Sequence, residues 1–131
     1  MSHRRRSILI AESNRAMSQS LRNHLEGAGY SVFVAYDGEQ AAILAARQRF
    51  DLIIADLELP AMTGAEFCRH VREDLRLTDI PIVVCCPEVM QSEADRLVFA
   101  HKVPRVFSKP LDPAAVVQFT NETVRNHASA V

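Results

Sequence analysis

Asp56 closes an apolar run, Leu52-Ile53-Ile54-Ala55, and leads into Leu57-Glu58-Leu59-Pro60. A carboxylate at the mouth of an apolar strand adds little stability there and is well placed for chemistry. Three other apolar runs also end in polar residues. Ile8-Leu9-Ile10-Ala11 runs into Glu12-Ser13, Ile82-Val83-Val84-Cys85 into Cys86-Pro87, and Val103 to Phe107 into Ser108-Lys109-Pro110. In a parallel sheet these four ends lie side by side, bringing Glu12, Ser13, Asp56, Cys86 and Lys109 to one edge. A carboxylate beside a lysine, with a hard cation held by oxygen ligands, suits phosphoryl transfer. Asp56 is the candidate nucleophile, forming an acyl phosphate. Lys109 offsets the crowded acids and offers a point charge to a phosphoryl oxygen.

The elements that must position these residues alternate between short apolar runs and longer segments of helical period. The first strand is 7–11. Asn14 or Ser13 then caps a helix with Met17, Leu21, Leu25 and Ala28 on one face, stopped by Gly29. The second strand is 31–35, and Asp37-Gly38 opens a helix carrying Ala41, Leu44 and Ala45 that ends near Phe50. The third strand is 52–55, followed by a loop over 60–64 and a helix over 65–75 that uses Phe67 and Val71. Pro81 begins the fourth strand, and a helix over 92–101 carries Leu97 and Val98. The fifth strand, 103–107, contains Pro104, which places it at a sheet edge. Asp112-Pro113 starts the last helix with a capping carboxylate and a proline at the first helical position. Val116, Val117, Phe119 and Val124 form its apolar side. Strands without polar alternation are covered on both faces. The fold expected is therefore α/β: five βα units, a doubly wound five-stranded parallel sheet, and a three-layer αβα sandwich.

A chain of 131 residues is read as one domain spanning 1–131, with a basic flexible N-terminus at 1–6 and a C-terminal tail at 128–131. His3-Arg4-Arg5-Arg6 is read as a solvated terminus. The formal net charge of −1 gives no global attraction to nucleic acid or to an anionic membrane. No apolar run approaches the roughly 20 residues a membrane span needs, so a cytoplasmic location is expected. Cys68, Cys85 and Cys86 are expected to be reduced thiols packed in the core, Cys85 and Cys86 on opposite faces of one strand. The five histidines lack metal-ligand spacing.

Over essentially its whole length the chain resembles a response regulator receiver domain, a flavodoxin-like module of two-component signalling. The residues that carry the resemblance are Ile8 through Asn14, Asp51 through Pro60 with Gly64, Pro81 to Cys86, and Lys109-Pro110. The resemblance implies that Asp56 is the phospho-acceptor and that Lys109 contacts the phosphoryl group. Glu12 matches the first acid of the family's acidic pair. Glu58 stands where the family offers a backbone carbonyl to Mg²⁺, and Pro60 and Gly64 match the loop after the acceptor. It further implies a phosphorelay role rather than an enzyme's. The partners implied are a sensor histidine kinase or phosphotransfer protein upstream and a protein bound by the helix 4/strand 5/helix 5 face downstream. No direct contact with nucleic acid or membrane is expected.

The departures from the family pattern are specific. Ser13 replaces the second acid, a direct Mg²⁺ ligand. Cys86 replaces the hydroxyl after the fourth strand and would be the phosphoryl-contacting residue there, followed by Pro87 where a small residue is usual. Val106 occupies the aromatic switch position, and Phe107, the nearest aromatic, would face the other way. With one carboxylate fewer, Mg²⁺ is expected to bind weakly or not at all. A thiol is a weak hydrogen-bond donor, so phosphorylation is expected to be slow. The alternative is a phosphorylation-independent pseudo-receiver acting as a protein-interaction module. A flavodoxin-like cofactor binder fits less well: Glu12 would repel a cofactor phosphate, and no Trp and only two Tyr could stack on a flavin. DNA binding is not expected either, since these 131 residues show no helix-turn-helix pattern.

Overall fold

A computed structural model describes residues 5–129, with side chains through Arg125; Met1 to Arg4, and with them most of the expected basic terminus, lie outside the described residues. The five strands are β1 (Ser7–Ala11), β2 (Ser31–Ala35), β3 (Leu52–Asp56), β4 (Ile82–Pro87) and β5 (Arg105–Lys109). They form one parallel sheet in the order β2-β1-β3-β4-β5. The helices are α1 (Arg15–Gly27), α2 (Gly38–Arg47), α3 (Gly64–Arg69), α4 (Gln91–Ala100) and α5 (Pro113–Ser129).

Strand parity splits the core into two layers. Ile8, Ile10, Leu52, Ile54 and Val83 pack with Leu21 and Leu25 of α1 and with Val116 and Val124 of α5. Leu9, Ile53, Ile82 and Val84 pack with Ala41 of α2, Phe67 of α3 and Leu97 of α4. Every residue of β3 is buried, as a central parallel strand covered on both faces must be. The expected three-layer sandwich is the observed one.

Local chemistry sets the helix starts. Asn14 Oδ1 accepts from the Met17 amide at 2.9 Å and Asp37 Oδ1 from that of Gln40 at 2.7 Å. Thr63 Oγ1 does the same for Glu66 at 3.1 Å. The first cap is thus Asn14 and not Ser13. Gly29, at φ 101°, turns the chain out of α1 into β2.

Several boundaries differ from the sequence reading. β3 runs one residue further and includes Asp56. The helix expected over 65–75 is α-helical only to Arg69 and continues as a π turn, His70–Asp74, closed by the Leu75 amide on the His70 carbonyl at 2.9 Å. The second helix stops at Arg47, and Phe50 beyond it turns into the core. The fourth helix starts and ends one residue earlier than expected. β5 begins at Arg105, so Pro104 precedes the strand; with no N–H to donate it sits before the ladder, and the strand is nevertheless an edge. Helical backbone reaches Ser129, so the expected tail at 128 begins as helix, while 130 and 131 lie outside the described residues.

One buried cation holds the far side of this arrangement. Arg72, in the π turn, is 9% exposed and donates to three backbone carbonyls: His101 at 2.8 Å, Leu77 at 2.7 Å and Lys102 at 3.0 Å. It ties the segment before β4 to the segment before β5. Burial lowers its pKa, with the nearby Cys68 and Asp79 opposing. Arg72→Met keeps the volume but strands three carbonyls, and is expected to cost about 3 kcal/mol. Urea unfolding checks this; a loss under about 1 kcal/mol would mean water replaces the guanidinium.

Candidate functional site

The carboxyl ends of β1, β3, β4 and β5 adjoin, as the alternation of elements requires. Asp56 is the last residue of β3 and pairs with Cys85 of β4; Lys109, the last of β5, pairs with Pro87. Glu12 follows β1 directly and its amide donates to the Ala35 carbonyl at 3.0 Å. The two carboxylates are almost wholly buried, Glu12 at 3% and Asp56 at 3% exposure.

Lys109 Nζ lies 2.8 Å from Asp56 Oδ2 and 3.2 Å from Glu12 Oε1. The remaining oxygens are held by backbone amides: Glu58 N donates to Asp56 Oδ1 at 3.1 Å and Asn14 N to Glu12 Oε2 at 3.0 Å. Burial pushes the Glu12 carboxyl above its ordinary value. The Asn14 amide and Lys109 pull it down, the Asp56 charge pushes it up, and the net shift is upward. Burial would lower the Lys109 ammonium, but its bonds to Asp56 and Glu12 outweigh this and raise it. Lys109 is therefore a firm cation between two acids.

The loop that follows Asp56 is clasped rather than free. Gly64 N donates to the Leu57 carbonyl and Gly38 N to that of Pro60, both at 3.0 Å. A Cβ on Gly64 would overlap the Asp56 carbonyl, and one on Gly38 would overlap that of Met62. Both glycines let backbone approach the loop. Ala61, between the two clasps, stands at φ 69°. The sequence reading singled out Gly64 as a loop match; the contact of Gly38 with the loop is tertiary and left no local signal.

The remaining expected residues lie at the same edge in different settings. Ser13 is exposed. Glu58 is exposed, with its amide turned to Asp56. Cys86 is fully buried in the layer under α2, α3 and α4, while Cys85 belongs to the opposite layer, as their adjacency in one strand predicts. Burial, then the Asp56 charge, pushes the Cys86 and Cys85 thiols up, and burial pushes the Cys68 thiol up to about 12. All three are free, neutral thiols. Val106 is half-buried against the α4 layer. Phe107 faces the other layer, edge-on to Phe119 with centroids 6.0 Å apart and Arg105 4.6 Å above its ring. Sequence reasoning missed Asn14 as a holder of Glu12, and the stacking of Arg15 on Tyr36 at 4.1 Å beside the site.

Glu12 and Asp56 are the two buried carboxylates at this edge that could hold a hard cation, since Mg²⁺ takes one or two carboxylates and completes its shell with water and phosphate oxygens. Among the described residues no group of three or more His, Cys, Asp or Glu is arranged to hold a metal.

Residues 8–121 match the family described as the response regulator receiver domain. The response regulator MprA of Mycolicibacterium vanbaalenii is 40% identical over 77 residues, covering 59% of this chain and 32% of that protein. MprA of Mycobacterium avium is 39% identical over the same length, covering 59% and 33%. The match thus spans about a third of these relatives. Among solved structures, a CheY-like receiver domain protein from Methanospirillum hungatei superposes with a TM-score of 0.88 at 20% identity, covering 98% of this chain and all of that one. The chemotaxis response regulator CheY4 of Vibrio cholerae gives 0.82 at 28% identity, covering 92% and 99%.

Because the Glu12 carboxyl is raised, the folded chain holds that proton more tightly than the unfolded chain does. Its contribution to stability is present below the ordinary glutamate range and is lost as pH rises through the folded value. Glu12→Gln, which keeps an acceptor for Lys109, is therefore expected to be more stable than the native chain at pH 7 in metal-free buffer. The two should converge below about pH 4. Thermal melts across pH check this, and a variant less stable at pH 7 would show that the charge itself is favoured.

Proposed function

The chain belongs to the response regulator receiver domain family, and on that premise we propose that Asp56 is its phospho-acceptor, working in a site whose metal and hydroxyl support are reduced. Receiver domains are signalling modules of two-component systems that interact with histidine kinases or phosphotransfer proteins and generally bind Mg²⁺ at the acidic site. The observation that carries the assignment here is the Lys109 ammonium held 2.8 Å from the buried Asp56 carboxylate.

In the proposed reaction an Asp56 carboxylate oxygen attacks the phosphorus of a phosphohistidine. The new O–P bond makes an acyl phosphate, the P–N bond breaks, and its electron pair leaves on the imidazole nitrogen, which takes up a proton. Lys109 contributes its charge to a phosphoryl oxygen, and Glu58 N holds the non-attacking carboxylate oxygen. Mg²⁺, when bound through Glu12, Asp56 and the Glu58 carbonyl, supplies neutralisation of the phosphoryl oxygens. Cys86, at the end of β4, stands where a hydroxyl would hold a further oxygen, and a thiol does this weakly.

Two carboxylates against one ammonium leave a single negative charge to attract a divalent cation, and Ser13 adds none. Weak Mg²⁺ binding follows from that balance. Val106 lacks a ring to move between buried and exposed pockets, and its χ1 is stiff. The face of α4, β5 and α5 is therefore proposed to bind its downstream partner with little regard to the state of Asp56. That feature, with Ser13, favours a second reading as a phosphorylation-independent interaction module. Among the described residues no helix is long and apolar enough to cross a membrane, and a cytoplasmic site of action is part of the proposal.

Labelling with a small phospho-donor and Mg²⁺, read by intact mass, is expected to be slow in the native chain and absent in Asp56→Asn. A persistent mass increase in that variant would place the chemistry elsewhere, and fast, complete labelling of the native chain would refute a reduced site. Ser13→Asp restores a carboxylate ligand and is expected to tighten Mg²⁺ about tenfold at matched ionic strength. Calorimetric titration decides it; equal affinity in the two forms would show that Ser13 is not the limiting defect.

A further inference from the structure

At the edge of the sheet opposite Asp56 lies a cavity of about 750 Å³. It opens where β1, β3 and β4 begin, and the length of β3, about 13 Å, separates it from the phosphorylation site. Arg6, Arg47, Arg49 and Arg76 all line it, together with Asp51 and Asp79. These come from segments distant in sequence: the residue before β1, the end of α2, and the connection before β4. Four guanidinium groups against two carboxylates leave a surplus of two positive charges in one hollow of a chain whose net charge is −1. Among the described residues none of the four arginines is engaged in an ion pair.

Two further observations set this hollow apart from an ordinary basic surface. Arg76 stands at φ 56°, a left-handed conformation that glycine or asparagine adopts at less cost. Strained backbone of this kind gathers at ligand sites, where the surrounding structure holds it. The rest of the lining includes the apolar side chains of Phe50, Ile53 and Ile80. The cavity thus combines an anion-binding rim with an apolar floor, and its volume is within the range of small-molecule sites.

We propose that this cavity is a second ligand site, separate from Asp56, that takes a nucleoside phosphate. Guanidinium forks bond phosphate oxygens bidentately and stack on planar rings. The apolar floor accommodates the nucleoside, and the Asp79 carboxylate is an acceptor for ribose hydroxyls or a base amino group. A bare phosphate would use the arginines and leave the floor empty. The surplus of two charges matches a phosphate group that is doubly ionised. The inference does not rest on phosphorylation of Asp56.

The test is a titration of the full chain with ADP in the absence of Mg²⁺, followed by amide chemical shifts. ADP is expected to bind with a dissociation constant below about 1 mM and to shift residues 45–51 and 76–80, in the native chain and in Asp56→Asn alike. Raising the ionic strength should weaken it. In the double variant Arg47→Ala with Arg76→Gly, binding should fall at least about tenfold. Glycine suits the backbone at 76, so a folded spectrum is expected and the loss reads on binding. Pyrophosphate alone should bind more weakly than ADP. The inference is overturned if ADP leaves these residues unshifted at about 5 mM, or if the double variant binds as well as the native chain. Shifts confined to the Asp56 edge would place the nucleotide there instead, and pyrophosphate binding as tightly as ADP would remove the nucleoside from the assignment.

Discussion

Two carboxylates buried at the end of an apolar sheet need a cation close by, and Lys109 is that cation. Glu12 and Asp56 are each about 3% exposed, and isolated charges at such burial would be expensive. Their oxygens are divided between the one ammonium and two backbone amides, those of Asn14 and Glu58. Much of the local structure exists to make this possible. β5 must end on Lys109 beside β4, β3 must carry Asp56 to its last position, and the turn after β1 must fold its amides back toward Glu12.

The same arrangement is the ground for the proposal that the site is reactive but limited. In the proposed role the Lys109 ammonium, 2.8 Å from Asp56 Oδ2, carries the charge that suits a phosphoryl oxygen. Lys109 also occupies much of the negative field that would draw a divalent cation. In a pocket with a third acid the lysine would leave more charge over. Ser13 is exposed at that position, and under the proposal the balance between ammonium and carboxylates is closer to neutral, so that metal affinity would depend on the few oxygens left.

Rigidity around the site has a tertiary origin. The loop after Asp56 is gripped by amides of Gly38 and Gly64, at points where a methyl group would collide with backbone. Arg72 performs a comparable task at the other edge, fastening the segments that lead into β4 and β5. The Asp56 edge and the basic cavity at the other are joined by three short strands, β1, β3 and β4, that are almost wholly buried. Val106 packs on the α4 side, while Phe107 is committed to the α5 layer by its contacts with Phe119 and Arg105.

The order of elements, the two-layer core and the meeting of Glu12, Asp56, Lys109 and Cys86 at one edge were legible in the sequence. Apolar runs without alternation specify buried parallel strands, and right-handed crossovers leave few ways to arrange them. The residue types at Ser13, Cys86 and Val106 are in the sequence as well, while their effect on the site belongs to the proposal. Boundaries were less so: the π turn after Arg69 and the start of β5 at Arg105 depend on contacts between distant segments, which no local pattern encodes. Only the tertiary structure decided which oxygen of Asp56 meets Lys109, that Asn14 and Glu58 amides hold the others, and that Arg6, Arg47, Arg49 and Arg76 share a cavity. Sequence fixes the period at which side chains change face. It does not fix the distances between groups many residues apart, since those are set by how helices settle on the sheet and how each buried polar atom finds its partner.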